Sequence, residues 1–298
     1  MRGLLIVNEF LNTTKFSEHT NWLLSAANKQ QVTMKVMTNA ECLVILNSKE
    51  KQSFLEYERP NFILFWDKDV LLARHLELLG FKVYNSAQAI ADCDDKARTH
   101  LLLSHNGIMM PKTIVAPMTF KNIGYTNLDF LSRVEEEIGY PMVVKECFGS
   151  FGAQVYLVRN SVQLKQRVQA LAGTKMLFQE FIASSAGKDL RLQVVGQEVV
   201  ASMYRYSVNG DFRANITNGG HMKPYQPSSD EIKLALKCCE ILNLTFAGVD
   251  LLFGPCEEPL VCEVNSNAHF KNIYDCTGVD TAKKMIEFIR ADQEQFGT

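Results

Sequence analysis

Ala247-Gly-Val-Asp250-Leu-Leu-Phe253, followed beyond Gly254-Pro255 by Leu260-Val-Cys-Glu263-Val-Asn265, is the stretch that decides the fold of this chain. Both runs are apolar enough for buried strands, and the Gly-Pro between them marks a turn. Yet each carries a carboxylate, and ionised carboxylates are almost never buried without a partner. Glu263 and Asn265 stand two apart, so they project from one face of their strand. If the strands pair as a hairpin, Asp250, Glu263 and Asn265 converge. Two carboxylates and an amide form an all-oxygen set suited to magnesium, which keeps waters and completes its shell with nucleotide phosphates. The alternative is that each acid pairs with a core Arg or Lys, and both readings stay open.

Working outward, Val143-Val-Lys145 precedes Gly149-Ser150-Phe151-Gly152. A lysine in an apolar strand beside a glycine loop can set an ammonium and several backbone N–H groups around phosphate oxygens. Glycine permits that close approach. A plain hairpin with an edge lysine has the same pattern. Lys96 stands beside Asp92, Asp94 and Asp95, which either pair with it or leave it for a ligand. Asp211-Phe-Arg213-Ala-Asn215, ahead of Gly219-Gly220, offers a cation and an amide to a polyanion, or else a turn-rich hairpin loop.

At 298 residues there is room for about two domains, or one large fold with lobes. With 47% hydrophobic and 21% charged residues, the core needs neither disulfides nor a metal staple. A net charge of −2 with no block of Lys and Arg offers no footprint for nucleic acid or a membrane surface. The eight cysteines form no Cys-x-x-Cys pair, so reduced thiols and a cytoplasmic location are expected. No apolar run approaches the roughly 18 residues of a membrane span.

Through residue 88, strand runs Leu4–Val7, Val32–Val36, Phe62–Trp66 and Lys82–Tyr84 alternate with helical patterns at Ser17–Lys29 and Asp69–Leu79. That alternation predicts a small parallel α/β domain over 1–88. No G-x-G-x-x-G follows its first strand, which excludes a dinucleotide site of that kind. Asn85 and Ser86 should cap one helix running through Lys96 to His105. The central part, 89–173, holds the phosphate-loop candidate, and from Met176 an antiparallel pattern marks a third part, 174–298. Ser228 and Glu231 form a capping box for the helix that follows. Asp67 falls at a strand end, where α/β sheets present ligand contacts; a helix-capping role for Asp67 or Asp69 is the other reading.

The segments Asp95-Lys96, Gly139-Tyr-Pro-Met-Val-Val-Lys145, Gln179-Glu-Phe-Ile182, Lys188-Asp-Leu-Arg191, Gly210-Asp-Phe-Arg-Ala-Asn215, Ala247-Gly-Val-Asp250 and Glu263-Val-Asn265 follow one another in this order. Together they resemble the ATP-grasp superfamily and, within it, the RimK-type glutamate ligases. The resemblance runs from about Asn85 to Ile289. It implies an α/β protein, α+β in its C-terminal part: an ATP-grasp fold behind a small parallel domain, with ATP between two lobes. Lys96, Lys145 and the loop residues Gly149, Ser150 and Gly152 would then hold phosphates. Glu180 and Phe181 would be the hinge that reads adenine, and Asp189 a nucleotide contact. Arg213 and Asn215 would meet phosphate and substrate. Asp250, Glu263 and Asn265 would ligate magnesium or manganese, with two ions per site. Arg191, on the face of Asp189, would stabilise an acyl-phosphate, with Arg213 as its catalytic companion.

The activity so implied is the ADP-forming union of a carboxylate with an amine, such as the amino acid glutamate. A homo-oligomer stays open. A small-molecule kinase and a nucleotide-binding regulator without turnover are the alternatives. Two segments depart from the family pattern. Ser266-Asn-Ala-His269-Phe270 replaces a small-residue and proline turn, and His221, Lys223 and Tyr225 are this chain's own. Both are expected to face the reacting substrates and, with Asp67, to set which amine and carboxylate are taken.

Overall fold

The computed structural model describes residues 1–46, 59–149, 152–214, 216 and 219–296. Strands β1 (Arg2–Val7), β2 (Thr33–Thr38), β3 (Phe62–Trp66) and β4 (Val83–Tyr84) form a parallel sheet in the order β2-β1-β3-β4. β1 and β3 are apolar runs buried on both faces, as central parallel strands are. Helices α1 (Thr14–Lys29) and α2 (Val70–Leu78) supply crossovers and cover opposite faces. Asp69 starts α2 by accepting from Leu72 N at 3.0 Å, so the capping role falls to Asp69. Asp67 is left for something else.

Next come α3 (Ala87–Asp94) and α4 (Lys96–His105), where the sequence predicts one helix. Asp95 is the break. Its backbone is extended, and its side chain accepts from Ala97 N and Arg98 N to start α4 anew. Ser86 caps α3 through Ala89 N, whereas Asn85 does not cap. Its amide donates to Phe246 O and Ser266 O and accepts from Thr245 N and Phe246 N, all within 2.7–3.0 Å.

The central lobe contains β5 (Thr113–Val115), α5 (Phe130–Ile138), β6 (Met142–Glu146), β7 (Val155–Val158), α6 (Ser161–Ala170) and β8 (Met176–Glu180). Its antiparallel sheet has the order β5-β8-β6-β7, so β8, past residue 173, pairs with β6. Leu131 and Val134 of α5 and Leu164 and Val168 of α6 pack on one face. The other face, with Lys145, looks into a cleft.

A 3-10 turn at Ala183–Ser185 leads into β9 (Lys188–Val195), β10 (Glu198–Tyr206), β11 (His221–Pro224), β12 (Phe246–Phe253) and β13 (Pro259–Asn265). They form an antiparallel sheet in the order β11-β10-β9-β12-β13. Helix α7 (Ser229–Ile241), started by the expected capping box, buries Ala235, Cys238 and Cys239 against one face. Helices α8 (Lys271–Thr277) and α9 (Thr281–Phe296) close the chain. Met285, Ile286 and Ile289 of α9 join Leu5, Leu23 and Phe62 in one core, which welds the N-terminal sheet to the C-terminal one. The eight cysteines are unpaired, and among the described residues no helix is long and apolar enough to cross a membrane.

Candidate active site

β12 and β13 do pair as a hairpin, with Asp250 opposite Glu263 and Gly248 opposite Asn265. On its other edge β12 pairs with β9, which sets Arg191 opposite Asp250. Glu263, Asp250 and Arg191 therefore stand in one row across the sheet. The register shifts beyond Asp250, so Cys262 is an extra residue in β13. Val261 and Val264 both enter the core under α7, which leaves Cys262 and Glu263 together on the cleft side. Gly248 keeps the row open. A Cβ there would come within 2.5 Å of Ala268 Cβ and 3.0 Å of Arg191 Nη1.

Asp250 is buried and both its oxygens are shared. Arg191 donates from Nε to Oδ1 and from Nη2 to Oδ2 at 2.7 Å, and Arg205 Nη2 lies 3.0 Å from Oδ2. For Asp250, then, pairing with core arginines is what the structure contains. Burial pushes its carboxyl up, but the Arg191 and Arg205 guanidiniums outweigh that and hold it below the usual carboxylate value. Asp189, expected to touch the nucleotide, has both oxygens taken by Arg205, at 2.6 and 2.8 Å. Arg205 escaped the sequence reading; a lone cation inside the apolar run Glu198–Tyr206 was its one signal. Glu263 is more accessible, with 29% of its side chain exposed and Lys96 Nζ 3.8 Å away.

The facing wall is cationic. Lys145 is buried on β6 with its Nζ 3.8 Å from Cys262 Sγ. Lys96 Nζ donates to Gly149 O at 3.0 Å, and its acidic neighbours turn elsewhere: Asp92 to Arg98, Asp94 to Lys68, Asp95 to Lys175. Arg213 forks onto Asp211 and donates from Nη1 to Gly152 O at 2.9 Å, so it reaches the glycine loop. Ser150 and Asn215 lie outside the described residues. At the end of β8, the Glu180 carboxylate accepts from Lys112 N at 3.2 Å, and the Phe181 ring meets Phe212 edge-on at 6.2 Å.

A cavity of about 550 Å³ runs from this row to the N-terminal sheet. Arg191, Asp250, Glu263 and Asn265 line one end, and Asn8, Lys15, Asp67, Asn267 and His269 the other. Asn8 and Asp67 follow β1 and β3, at the carboxyl edge where parallel sheets take ligands. His269 packs edge-on against His19 at 4.2 Å and Phe16 at 5.1 Å. Burial, with the charges of Lys15 and Arg191 beside it, pulls its pKa down to about 3, so it is neutral at pH 7. The second specificity segment is a correction. His221 pairs with Tyr206 and Lys223 with Tyr204, whose ring belongs to the core on the α7 side. Strand alternation turns His221, Lys223 and Tyr225 away from the face that carries Arg205.

Two antiparallel sheets facing each other across a cleft of cations and carboxylates, behind a small parallel α/β domain, define the ATP-grasp class of ligase. The chain belongs to the RimK-like ATP-grasp family, whose model matches residues 93–289. It is 33% identical over 302 residues to a probable alpha-L-glutamate ligase of Aliivibrio fischeri, covering 96% of this chain and 94% of that one. With beta-citrylglutamate synthase B of Danio rerio it shares 32% identity over 224 residues, 75% of this chain and 54% of that protein. The D-alanine–D-alanine ligase of Bacillus anthracis complexed with ATP has the same fold, with a TM-score of 0.71 at 18% identity over 99% of each chain.

Proposed function

We propose that this protein is a cytoplasmic ATP-dependent carboxylate–amine ligase that works through an acyl-phosphate and adds an amino acid such as glutamate to a small-molecule or peptide carboxylate. The observation that carries the reading is the row Glu263–Asp250–Arg191 at one end of a 550 Å³ cavity, with Lys96 3.8 Å from Glu263 and Lys145 3.8 Å from Cys262 beside it. The bare carboxylate is a poor electrophile, and phosphorylation by ATP gives it a leaving group. Catalysis then consists of positioning and charge stabilisation.

Lys96, Lys145 and the loop around Gly149 and Gly152 hold the polyphosphate, with Glu180 and Phe181 beside the base. Glu263 and Asn265, with Asp250 once it exchanges an arginine, would hold a magnesium ion, being oxygen donors on one sheet face with Glu263 still accessible to a ligand. Bound there with the nucleotide, the metal supplies Lewis-acid neutralisation of the transferring phosphoryl charge. Arg191 lies beside that face and stabilises the acyl-phosphate oxygens. Arg205 anchors Asp189 and Asp250 and so positions the row. Closure of the central lobe excludes water, which would otherwise hydrolyse the activated carboxylate. His269 and its neighbours at the far end of the cavity touch the organic substrates and set specificity.

A carboxylate and amine panel, read by ADP release and mass spectrometry, tests this. ADP should form only when both partners are present, with an amide as product. Glu263→Gln should lower the rate at least about a hundredfold, the scale of losing several kcal/mol of charge stabilisation, with an unchanged melting temperature. ADP release with a hydroxyl compound and no amine would establish a kinase instead.

A further inference from the structure

Asp67 is 5% exposed and its two carboxylate oxygens are in unequal positions. Oδ1 accepts from Asn8 Nδ2 at 3.0 Å and from Lys68 N at 2.7 Å. Oδ2 is buried and has no hydrogen-bond partner among the described residues. The adjacent Lys68 does not serve it, since its Nζ pairs with Asp94. Helix capping does not explain Asp67 either, because Asp69 fills that place. A second acceptor lies beside it. Asn267 Nδ2 donates to Asp67 O at 3.0 Å, and Asn267 Oδ1 is likewise buried without a hydrogen-bond partner among the described residues. Both residues line the cavity that begins at Glu263.

A buried carboxylate and a buried amide oxygen, both unmatched, are costly unless a donor arrives. Both atoms are acceptors only, so the complement carries several N–H hydrogens, and the carboxylate charge selects a cation over a neutral amide. Asn267 lies two residues past Asn265, at most about 7 Å along the chain. A group held there is within one amino acid's length of the proposed reaction centre. Burial also pushes the Asp67 carboxyl above its ordinary value, by more than the bonds from Asn8 and Lys68 N and the Lys68 charge pull it down.

From this geometry we infer that Asp67 Oδ2 and Asn267 Oδ1 form a subsite for an alkylammonium, so that one of the two organic substrates is recognised by a positively charged nitrogen. The inference rests on the ligase reading and names the class of compound that the site takes. The nitrogen belongs either to the carboxylate partner, which keeps it in the product, or to the incoming amine in its protonated resting form.

The test uses the full chain and the common amino acids, each beside its des-amino and N-acetyl counterparts, with binding followed by NMR titration with and without Mg-AMPPNP. At least one amino acid should bind the native protein about ten- to a hundredfold more tightly than its des-amino counterpart, the range for one charged hydrogen-bond partner. Asp67→Asn, nearly isosteric, should erase that preference while leaving AMPPNP affinity and melting temperature unchanged. Asn267→Ser should reduce it about threefold to tenfold, and it carries the test if the first variant fails to fold. A native protein that prefers no ammonium compound over its des-amino form overturns the proposal, as does a preference that survives in both variants. Mass spectrometry of the amide assigns the nitrogen to the acyl or the amino half. Binding is read without turnover, so a failure of the ligase reading leaves this result interpretable, and the converse holds too.

Discussion

The C-terminal sheet has two neighbours and meets them in opposite ways. Toward the N-terminal sheet the junction is dry. Leu5, Phe62, Leu64, Phe246, Phe270 and Ile286 share one core, and Asn85 pins the strand ends with four hydrogen bonds. Toward the central lobe the side-chain contacts are polar: Arg213 to Gly152 O and Lys145 to Cys262, with Lys96 of α4 reaching Gly149 O. A small apolar patch of Ala97, Cys147 and Leu177 ties that lobe to α4. Apolar burial fixes a geometry because nothing in solution replaces it, whereas ion contacts across a cleft exchange readily with a charged ligand. The N-terminal sheet is therefore joined to the C-terminal one by packing, whereas the central lobe is joined to it by polar contacts that a charged ligand could replace.

If the junctions differ in this way, damage to the dry one should appear as lost stability. Phe270 is fully buried and meets His19, Trp22 and Trp66 at 4.7–5.7 Å between ring centroids. Phe270→Ala should cost about 3–5 kcal/mol, seen as a lower midpoint in denaturant melts. A loss below about 1 kcal/mol would show that the seam is not what holds the two sheets together. Damage to the wet junction should instead spare stability and cost ligand. Lys145→Ala should weaken ATP binding by about 1.5–3 kcal/mol in calorimetric titration, with little change in melting temperature. Unaltered ATP affinity would remove Lys145 from the phosphate site.

The smallest effect is the titration of the dry seam. His19 is buried, its Nε2 accepts from Lys271 N, and burial followed by the nearby Lys15 and Lys271 charges lowers its pKa to about 4. The folded value lies below the unfolded one near 6.5, so between them the unfolded chain binds more protons. This contribution is complete above about pH 6.5 and is lost as the pH falls toward 4, by up to about 1.4 kcal/mol per pH unit. His19→Gln should flatten the acid limb of melting temperature against pH. An acid limb of unchanged slope would mean that other groups set it.

Local chemistry was readable in advance and long-range pairing was not. The Ser228–Glu231 capping box and the β3 run Phe62–Trp66 depend only on neighbours in the chain, and both formed as expected. The Asp250–Glu263 hairpin was legible because two apolar runs flank a turn. The bulge at Cys262 was not, since only the partner strand reveals an unmatched residue. Asp95 interrupts an otherwise continuous helical pattern by capping α4 with one oxygen, while the other is held by Lys175, distant in sequence. Asn85 looked like a cap because its partners, Phe246 and Ser266, lie across the molecule. The role of Arg205 depends on the register of β9 against β10. In the sequence, His221, Lys223 and Tyr225 follow a glycine-rich segment that reads as a loop, and without a strand there is no alternation to say which face each takes.

Asp250 is not a vacant carboxylate, since its two oxygens are shared by Arg191 and Arg205. If this face is to hold a divalent ion, taking Asp250 as a ligand would mean substitution for a guanidinium and not the filling of a hole. A displaced Arg191 would need another anion, and a phosphoryl group in the cavity would provide one. On that reading the affinities for metal and for nucleotide would rise together.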